Sequence, residues 1–231
     1  MERYMAKRLQ KELEKIKKRV LSLCAIVEER VRMAKKSMET WDAVLAEEII
    51  KKDYEIDEIE VEIEEECLKI LALHQPVAVD LRFLIAVIKI NNDLERIGDE
   101  AANLAKRVEN ISRRRRLELT FDYSTMAEMV LSMLRMSIDS LVTLDQKLAF
   151  EVLALDNEVD RMYREIYDKV KTAISERPEY VGYMINLNAI SRHLERIGDH
   201  CTNIAEEVIY LIEGEIVRHA RRETLAPMRT P

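Results

Sequence analysis

The hexapeptide Leu-Glu-Arg-Ile-Gly-Asp occupies residues 94–99 and returns, letter for letter, at residues 194–199. Identity at such a distance predicts two copies of one structural unit, each unable to bury its apolar face without its own neighbours. The match extends well beyond the hexapeptide. Asp42, Asp53 and Asp57 align with Asp145, Asp156 and Asp160 at an offset of 103, and Glu95, Asp99 and Asn103 align with Glu195, Asp199 and Asn203 at an offset of 100. A loop shortened by three residues before the last helix of the second copy accounts for the change.

The apolar period within each copy is helical. Ile49, Ile56, Ile59, Ile63, Cys67 and Ile70 recur at three-and-four spacing, as do Leu94, Ile97, Ala101, Leu104 and Val108. Only four glycines and four prolines punctuate 231 residues, too few for a multi-stranded sheet protein. Breaks are expected at 39–41, 74–76, 110–122, 144–147, 176–178 and 214, with Pro76 and Pro178 suited to opening helices. The chain is therefore read as all-α: six long helices forming two tandem pseudo-symmetric antiparallel three-helix bundles. The first unit spans 1–112, a basic link 113–119, the second unit 120–214 and a partly ordered C-terminal tail 215–231. The tail carries Arg218, Arg221, Arg222 and Pro227, and the link begins with the run Arg113 to Arg116, read as a solvated connection.

Charge narrows the function classes. A net charge of −7 argues against a global attraction to nucleic acid or an anionic bilayer. No apolar run approaches the length of a membrane span, and the N-terminus lacks the apolar core of a signal peptide, so a soluble cytoplasmic protein is expected. Cys24, Cys67 and Cys201 lack metal-type spacing and fall on apolar stripes, which predicts three buried thiols.

The acidic residues lie elsewhere on the helices. At about 100° per residue, Glu95, Asp99 and Asn103 face away from the Leu94–Val108 stripe, and Glu195, Asp199 and Asn203 repeat that phase. Asp53 and Asp57, like Asp156 and Asp160, sit on the flank of the second helix of their unit, where they can meet a neighbouring helix. An antiparallel hairpin turning near 74–75 brings the two pairs of the first unit within one or two turns of each other. Four carboxylates so placed repel unless protons or cations intervene. Oxygen-only ligands suit hard ions such as Mg²⁺, Ca²⁺, Mn²⁺ or iron, and i, i+4 spacing lets one helix face bridge two of them.

Gly98 and Gly198 each cost a helix about 1 kcal/mol relative to alanine, so space is needed there, for a closely packed helix or for an ion over the backbone. His193 and His200 flank the second motif, but their counterparts are Asp93 and Glu100. No imidazole ligand common to both copies is implied, and both rings are expected to be accessory or exposed. The chain holds no Glu-x-x-His pair of the di-iron carboxylate bundles, no phosphate loop and no nucleophile motif. A protein without enzymatic activity is expected, the alternative being a multinuclear metal-carboxylate enzyme of redox or hydrolytic type.

From about residue 10 to 214 the chain resembles the PhoU family, the accessory proteins of bacterial phosphate-specific transport. The carriers are Gln75-Pro76-Val77-Ala78 with Asp80-Leu81-Arg82, the doubled hexapeptide, Ala102-Asn103 and Thr202-Asn203, and the paired aspartates of the second and fifth helices. The resemblance implies tandem three-helix bundles and negative regulation of phosphate uptake and of phosphate-starvation signalling. The implied partners are the ATPase subunit of the phosphate transporter and a sensor histidine kinase, with self-association as a dimer, no nucleic acid and only indirect membrane contact. It further implies metal ions at the acidic motifs, as multinuclear iron clusters or as Mn, Mg or Zn. Carried over, the ligands are Asp53, Asp57, Glu95 and Asp99 in the first unit and Asp156, Asp160, Glu195 and Asp199 in the second. The second unit lacks an Asp-Leu-Arg segment, having Arg177-Pro178-Glu179 instead, which confines any role of Asp80-Leu81-Arg82 to the first.

Overall fold

A computed structural model describes residues 2–113 and 121–215. The described residues form seven α-helices: α1 (Glu2–Thr40), α2 (Ala43–Lys51), α3 (Tyr54–His74), α4 (Ala78–Ser112), α5 (Tyr123–Thr143), α6 (Gln146–Glu176) and α7 (Val181–Glu213). A single 3₁₀ turn, Pro178–Tyr180, joins α6 to α7. Arg113 ion-pairs with Glu109 one turn earlier. The rest of the arginine run, and the tail with Arg218, Arg221, Arg222 and Pro227, lie outside the described residues.

Aspartates shared by the two copies start equivalent helices. Asp42 accepts hydrogen bonds from the N–H groups of Val44 (2.9 Å) and Leu45 (3.0 Å), and Asp145 accepts from Lys147 (2.8 Å) and Leu148 (3.4 Å). Each thereby satisfies two of the four donors that a helix start leaves unpaired. The residues just before them, Trp41 and Leu144, both turn through the left-handed region, with φ of 54° and 51°. Their equivalence at offset 103 shows one turn built twice.

The six expected helices differ from the seven observed at one place. The second expected helix is interrupted at Lys52–Asp53 and so becomes α2 and α3. The Lys52 N–H is shared between the carbonyls of Glu48 and Ile49, and the next bonds close after three residues, Glu55 to Lys52 and Ile56 to Asp53. A tight turn of this kind offsets the helix without a glycine or proline. Its counterpart in α6 runs unbroken through Asp156.

Ion pairs and hydrogen bonds fix the packing directions. Lys15 with Glu66 and Arg19 with Glu62 set α1 antiparallel to α3, and the Asn91 side chain donates to the Glu60 carbonyl across α3 and α4 (2.8 Å). The predicted stripes are buried, apart from the half-buried Ile59: Ile56, Ile63, Cys67 and Ile70 on α3, Leu94 to Val108 on α4, and Leu194, Ile197, Cys201, Ile204 and Val208 on α7. Each large aliphatic side chain so placed contributes roughly 1.5–3 kcal/mol. Burial pushes the Cys24 and Cys67 thiols up to about 12, as inert core groups. No helix among the described residues is long and apolar enough to cross a membrane.

The two halves meet along two antiparallel seams. Glu28, Lys35 and Glu39 of α1 contact Arg135, Glu128 and Ser124 of α5, with residue numbers summing to 163 each time. On α4 and α7, Glu100 pairs with His193 and Asp93 with His200, each summing to 293. Both sums are unchanged when the halves are exchanged, the signature of a pseudo-dyad. It passes between the two hexapeptides.

Candidate metal-binding site

The α3–α4 hairpin brings the first acidic pairs together. Asp57 from α3 and Glu95 and Asp99 from α4 each offer an oxygen, and these atoms all lie within 4.8 Å of one another. Asp53, at the interrupted turn, is half-buried, and its Oδ1 has no hydrogen-bond partner among the described residues. Burial, and then repulsion from Asp99 and Asp57, pushes the Asp53 carboxyl up to about 6. Glu95 is held above the usual carboxylate range by burial and then by Asp99 and Asp57, and Asp99 by burial and then by Asp57. All four predicted residues of the first half therefore share one patch short of positive charge.

The second half assembles the same groups less tightly. Glu195 is pushed up to about 7 by burial and then by Asp199, Asp160 and Asp156, and Asp199 is raised by burial and then by the same two aspartates. Asp156 is 4% exposed, whereas Asp160 is turned toward Arg164 on its own helix (3.5 Å). Among the described residues no second trio gathers its oxygens as closely as Asp57, Glu95 and Asp99.

The donor set fits a hard cation. It consists of carboxylate oxygens alone, one of them buried without a hydrogen bond, and its members repel one another as they stand. Asp57, Glu95 and Asp99 would hold an ion, with Asp53 beside them. The equivalent set is Asp160, Glu195 and Asp199 with Asp156.

The two glycines prove to be unequal. A Cβ on Gly98 would lie 2.7 Å from Cδ1 and 3.3 Å from Cγ2 of the fully buried Ile56, so any larger residue here must displace that side chain. A Cβ on Gly198 would meet nothing nearer than Val159 at 3.6 Å, and Asp156 Oδ1 at 3.8 Å.

His193 and His200 are not exposed, so of the two expected alternatives the exposed one fails. His193 Nδ1 lies 2.6 Å from Glu100 Oε2 in a buried pair, and His200 Nδ1 lies 2.8 Å from Asp93 Oδ1. Arg196 joins Glu100 at 2.8 Å, and Asn203 donates to Asp93 at 2.9 Å. Where one copy has an acid, the other has the base that meets it across the pseudo-dyad. The exchange of Asp93 for His193 and of Glu100 for His200 between copies was the available signal. It marks an interface between the halves, which single-helix periodicity does not address.

These features define an all-α tandem-repeat protein in which the last helix of each half presents an acidic face beside a shared central seam. Comparison with known proteins gives that class a family. The PhoU domain model matches residues 20–108 and again 123–208, once per copy. A phosphate-specific transport system accessory protein PhoU homolog of Aquifex aeolicus is 39% identical over 212 residues, covering 92% of this chain and 96% of the relative. One from Pseudomonas aeruginosa is 37% identical over 221 residues, covering 94% and 90%. The crystal structure of PhoU from Pseudomonas aeruginosa superposes with a TM-score of 0.86 at 35% identity, covering 89% of this chain and 99% of that one. The phosphate transport system regulatory protein PhoU from Streptococcus pneumoniae gives a TM-score of 0.84 at 30% identity, covering 90% and 99%. The chain belongs to the PhoU family of accessory proteins of phosphate-specific transport.

Proposed function

We propose that this protein is a metal-binding regulatory adaptor that restrains phosphate uptake and phosphate-starvation signalling. Its partners in that role are the ATPase subunit of the phosphate transporter and a sensor histidine kinase, and it acts in the cytoplasm as a dimer. The observation that carries the metal reading is the convergence of Asp57, Glu95 and Asp99 within 4.8 Å. The regulatory reading is supported by relatives named as accessory and regulatory proteins. A bound cation would neutralise the acidic face and tie α3 to α4, while the chain's own part is to hold the carboxylates in register across the Gly98–Ile56 contact.

The test is a thermal melt of chelator-treated protein before and after addition of Mn²⁺, Fe²⁺ or Mg²⁺. A ligand at about 100 times its Kd stabilises the folded state by about 2.7 kcal/mol, so a rise of several degrees is expected. The paired substitution Asp57→Asn and Asp99→Asn should remove the part of that rise due to the first site. An unchanged melt for every ion would defeat the metal reading. For the regulatory reading, deletion in the host should switch on starvation genes in high phosphate, and unaltered expression would count against it.

A further inference from the structure

The pseudo-dyad relates two regions of the α4–α7 seam that carry opposite charge. On one side, α3, α4 and α7 enclose a cavity of about 410 Å³ whose walls include Glu60, Glu64, Asp93 and Glu207, with Lys89 as its cation. Lys89 is already bound to Glu207, at 3.2 and 3.3 Å. Under the offsets of 103 between α3 and α6 and of 100 between α4 and α7, the four acids become Tyr163, Tyr167, His193 and Arg107. Asn92 of the same wall becomes Arg192, and Lys89 becomes Ala189. Four carboxylates and one ammonium are thus replaced by two guanidiniums, two phenols and an imidazole, with no carboxylate among them.

A second observation, independent of the symmetry, falls on the same place. Buried side-chain nitrogens or oxygens without a hydrogen-bond partner are few among the described residues, and three of them are Arg107 Nε, His193 Nε2 and Asn188 Oδ1. Asn188 is the counterpart of Ile88 in the acidic cavity. His193 is 9% exposed, and its Nδ1 is committed to Glu100, which leaves Nε2 on the far edge of the ring. Arg107 Nε–H is a donor and Asn188 Oδ1 an acceptor; a buried polar group without a partner costs about 1–3 kcal/mol, so a donor and an acceptor left open at one counterpart position call for a ligand that offers both, as a hydrogen phosphate does with its oxygens and its P–OH. Glu100 does not oppose an anion there, because the Arg196 guanidinium is already paired with it at 2.8 Å. Tyr167 and Asn188 also line a cavity of about 280 Å³ between α6 and α7, with Ile174 and Ile185 on its apolar wall.

The geometry points to an oxyanion site in the second half, formed by Arg107, Arg192, His193 and the Tyr163–Tyr167 pair, that takes a phosphate group, free or as a monoester. Guanidiniums present paired donors matched to phosphate oxygens, the phenols supply neutral donors around them, and Asn188 Oδ1 accepts from a P–OH. The adjoining cavity has room for the organic part of an ester. This site shares no side chain with the carboxylate sets, and it stands or falls without bound metal.

Equilibrium dialysis and ³¹P NMR of the full chain, kept in chelator, test it with inorganic phosphate and with AMP as the monoester. Saturable binding is expected for at least one, and the tighter of the two identifies the source of the phosphate group. Arg192→Gln, at an exposed position, and Arg107→Gln should each weaken binding about 10-fold or more, the loss of one charge-assisted contact. Tyr167→Phe, also exposed, should weaken it less, and Glu64→Gln in the acidic cavity should leave it unchanged. Circular dichroism confirms that each variant folds. Absence of saturable binding at millimolar phosphate and AMP overturns the site. So does equal affinity in wild type, Arg192→Gln and Arg107→Gln, or an equal loss in Glu64→Gln.

Discussion

Two glycines in identical hexapeptides meet different surroundings, and single substitutions should separate them. Alanine at 98 forces a shift of Ile56, whose Cδ1 lies fully buried among packed neighbours with little space to move into. Overpacking of this kind costs about 1–3 kcal/mol, against about 1 kcal/mol gained in helix propensity. Gly98→Ala should therefore lower the melting temperature. Gly198→Ala meets only ordinary contacts and should raise it, by the equivalent of about 1 kcal/mol. Titration also belongs to single residues. Asp53 and Glu195 hold protons up to about 6 and about 7, whereas in the unfolded chain such groups release them near pH 4. Between those values the folded state binds more protons, so stability falls as pH rises from about 4 to 7. The pairing of Glu28 and Glu100 with arginine and histidine lowers their carboxyls and acts oppositely, its contribution being lost as pH falls below about 4.5. Metal-free protein should thus be most stable near pH 4.5, as melts from pH 3 to 8 would show, and Glu195→Gln should flatten the decline above that pH. Part of this was legible in advance: the repeated Asp and Glu spacing names the carboxylates. Which glycine is indispensable depends on the partner helix, about which the hexapeptide is silent.

Helix boundaries divide along the same line. The breaks at 39–41, 74–76, 144–147, 176–178 and 214 announce themselves through prolines, a glycine or a capping aspartate, because those residues act locally on backbone donors and dihedral angles. The break at Lys52–Asp53 has no such residue and arises from a bifurcated hydrogen bond, so the apolar period runs across it undisturbed. That turn sets Asp53 apart from its equivalent Asp156, which lies inside an unbroken helix. The paired turns at Trp41 and Leu144 allow a test of local strain. An L-residue other than glycine or asparagine in the left-handed region costs about 1 kcal/mol, and Leu144 is 57% exposed, so it has little packing to lose. Leu144→Asn should raise stability by about 0.5–1 kcal/mol, read as a higher melting temperature. Trp41 packs against the core, and its replacement should destabilise instead.

At the scale of the molecule, the seam between α4 and α7 decides how the two copies act together. Periodicity identifies the face each helix buries but not the helix that covers it, so the antiparallel register of 293 was beyond the sequence of either copy alone. The complementary exchange of acids and histidines shows how a duplicated chain can favour pairing of its halves. If both copies kept Asp at 93 and 193 and Glu at 100 and 200, like charges would face each other twice across the dyad. A charge-swap cycle measures this. Asp93→His alone places two imidazoles together, and His200→Asp alone places two carboxylates together beside Asn203, so each should destabilise. The double variant restores an opposite pair with its sense reversed and should recover most of the loss, giving a coupling energy of about 1–3 kcal/mol in the cycle. Additive losses would mean that the pair contributes nothing specific, and that apolar packing of α4 on α7 alone fixes how the two halves meet.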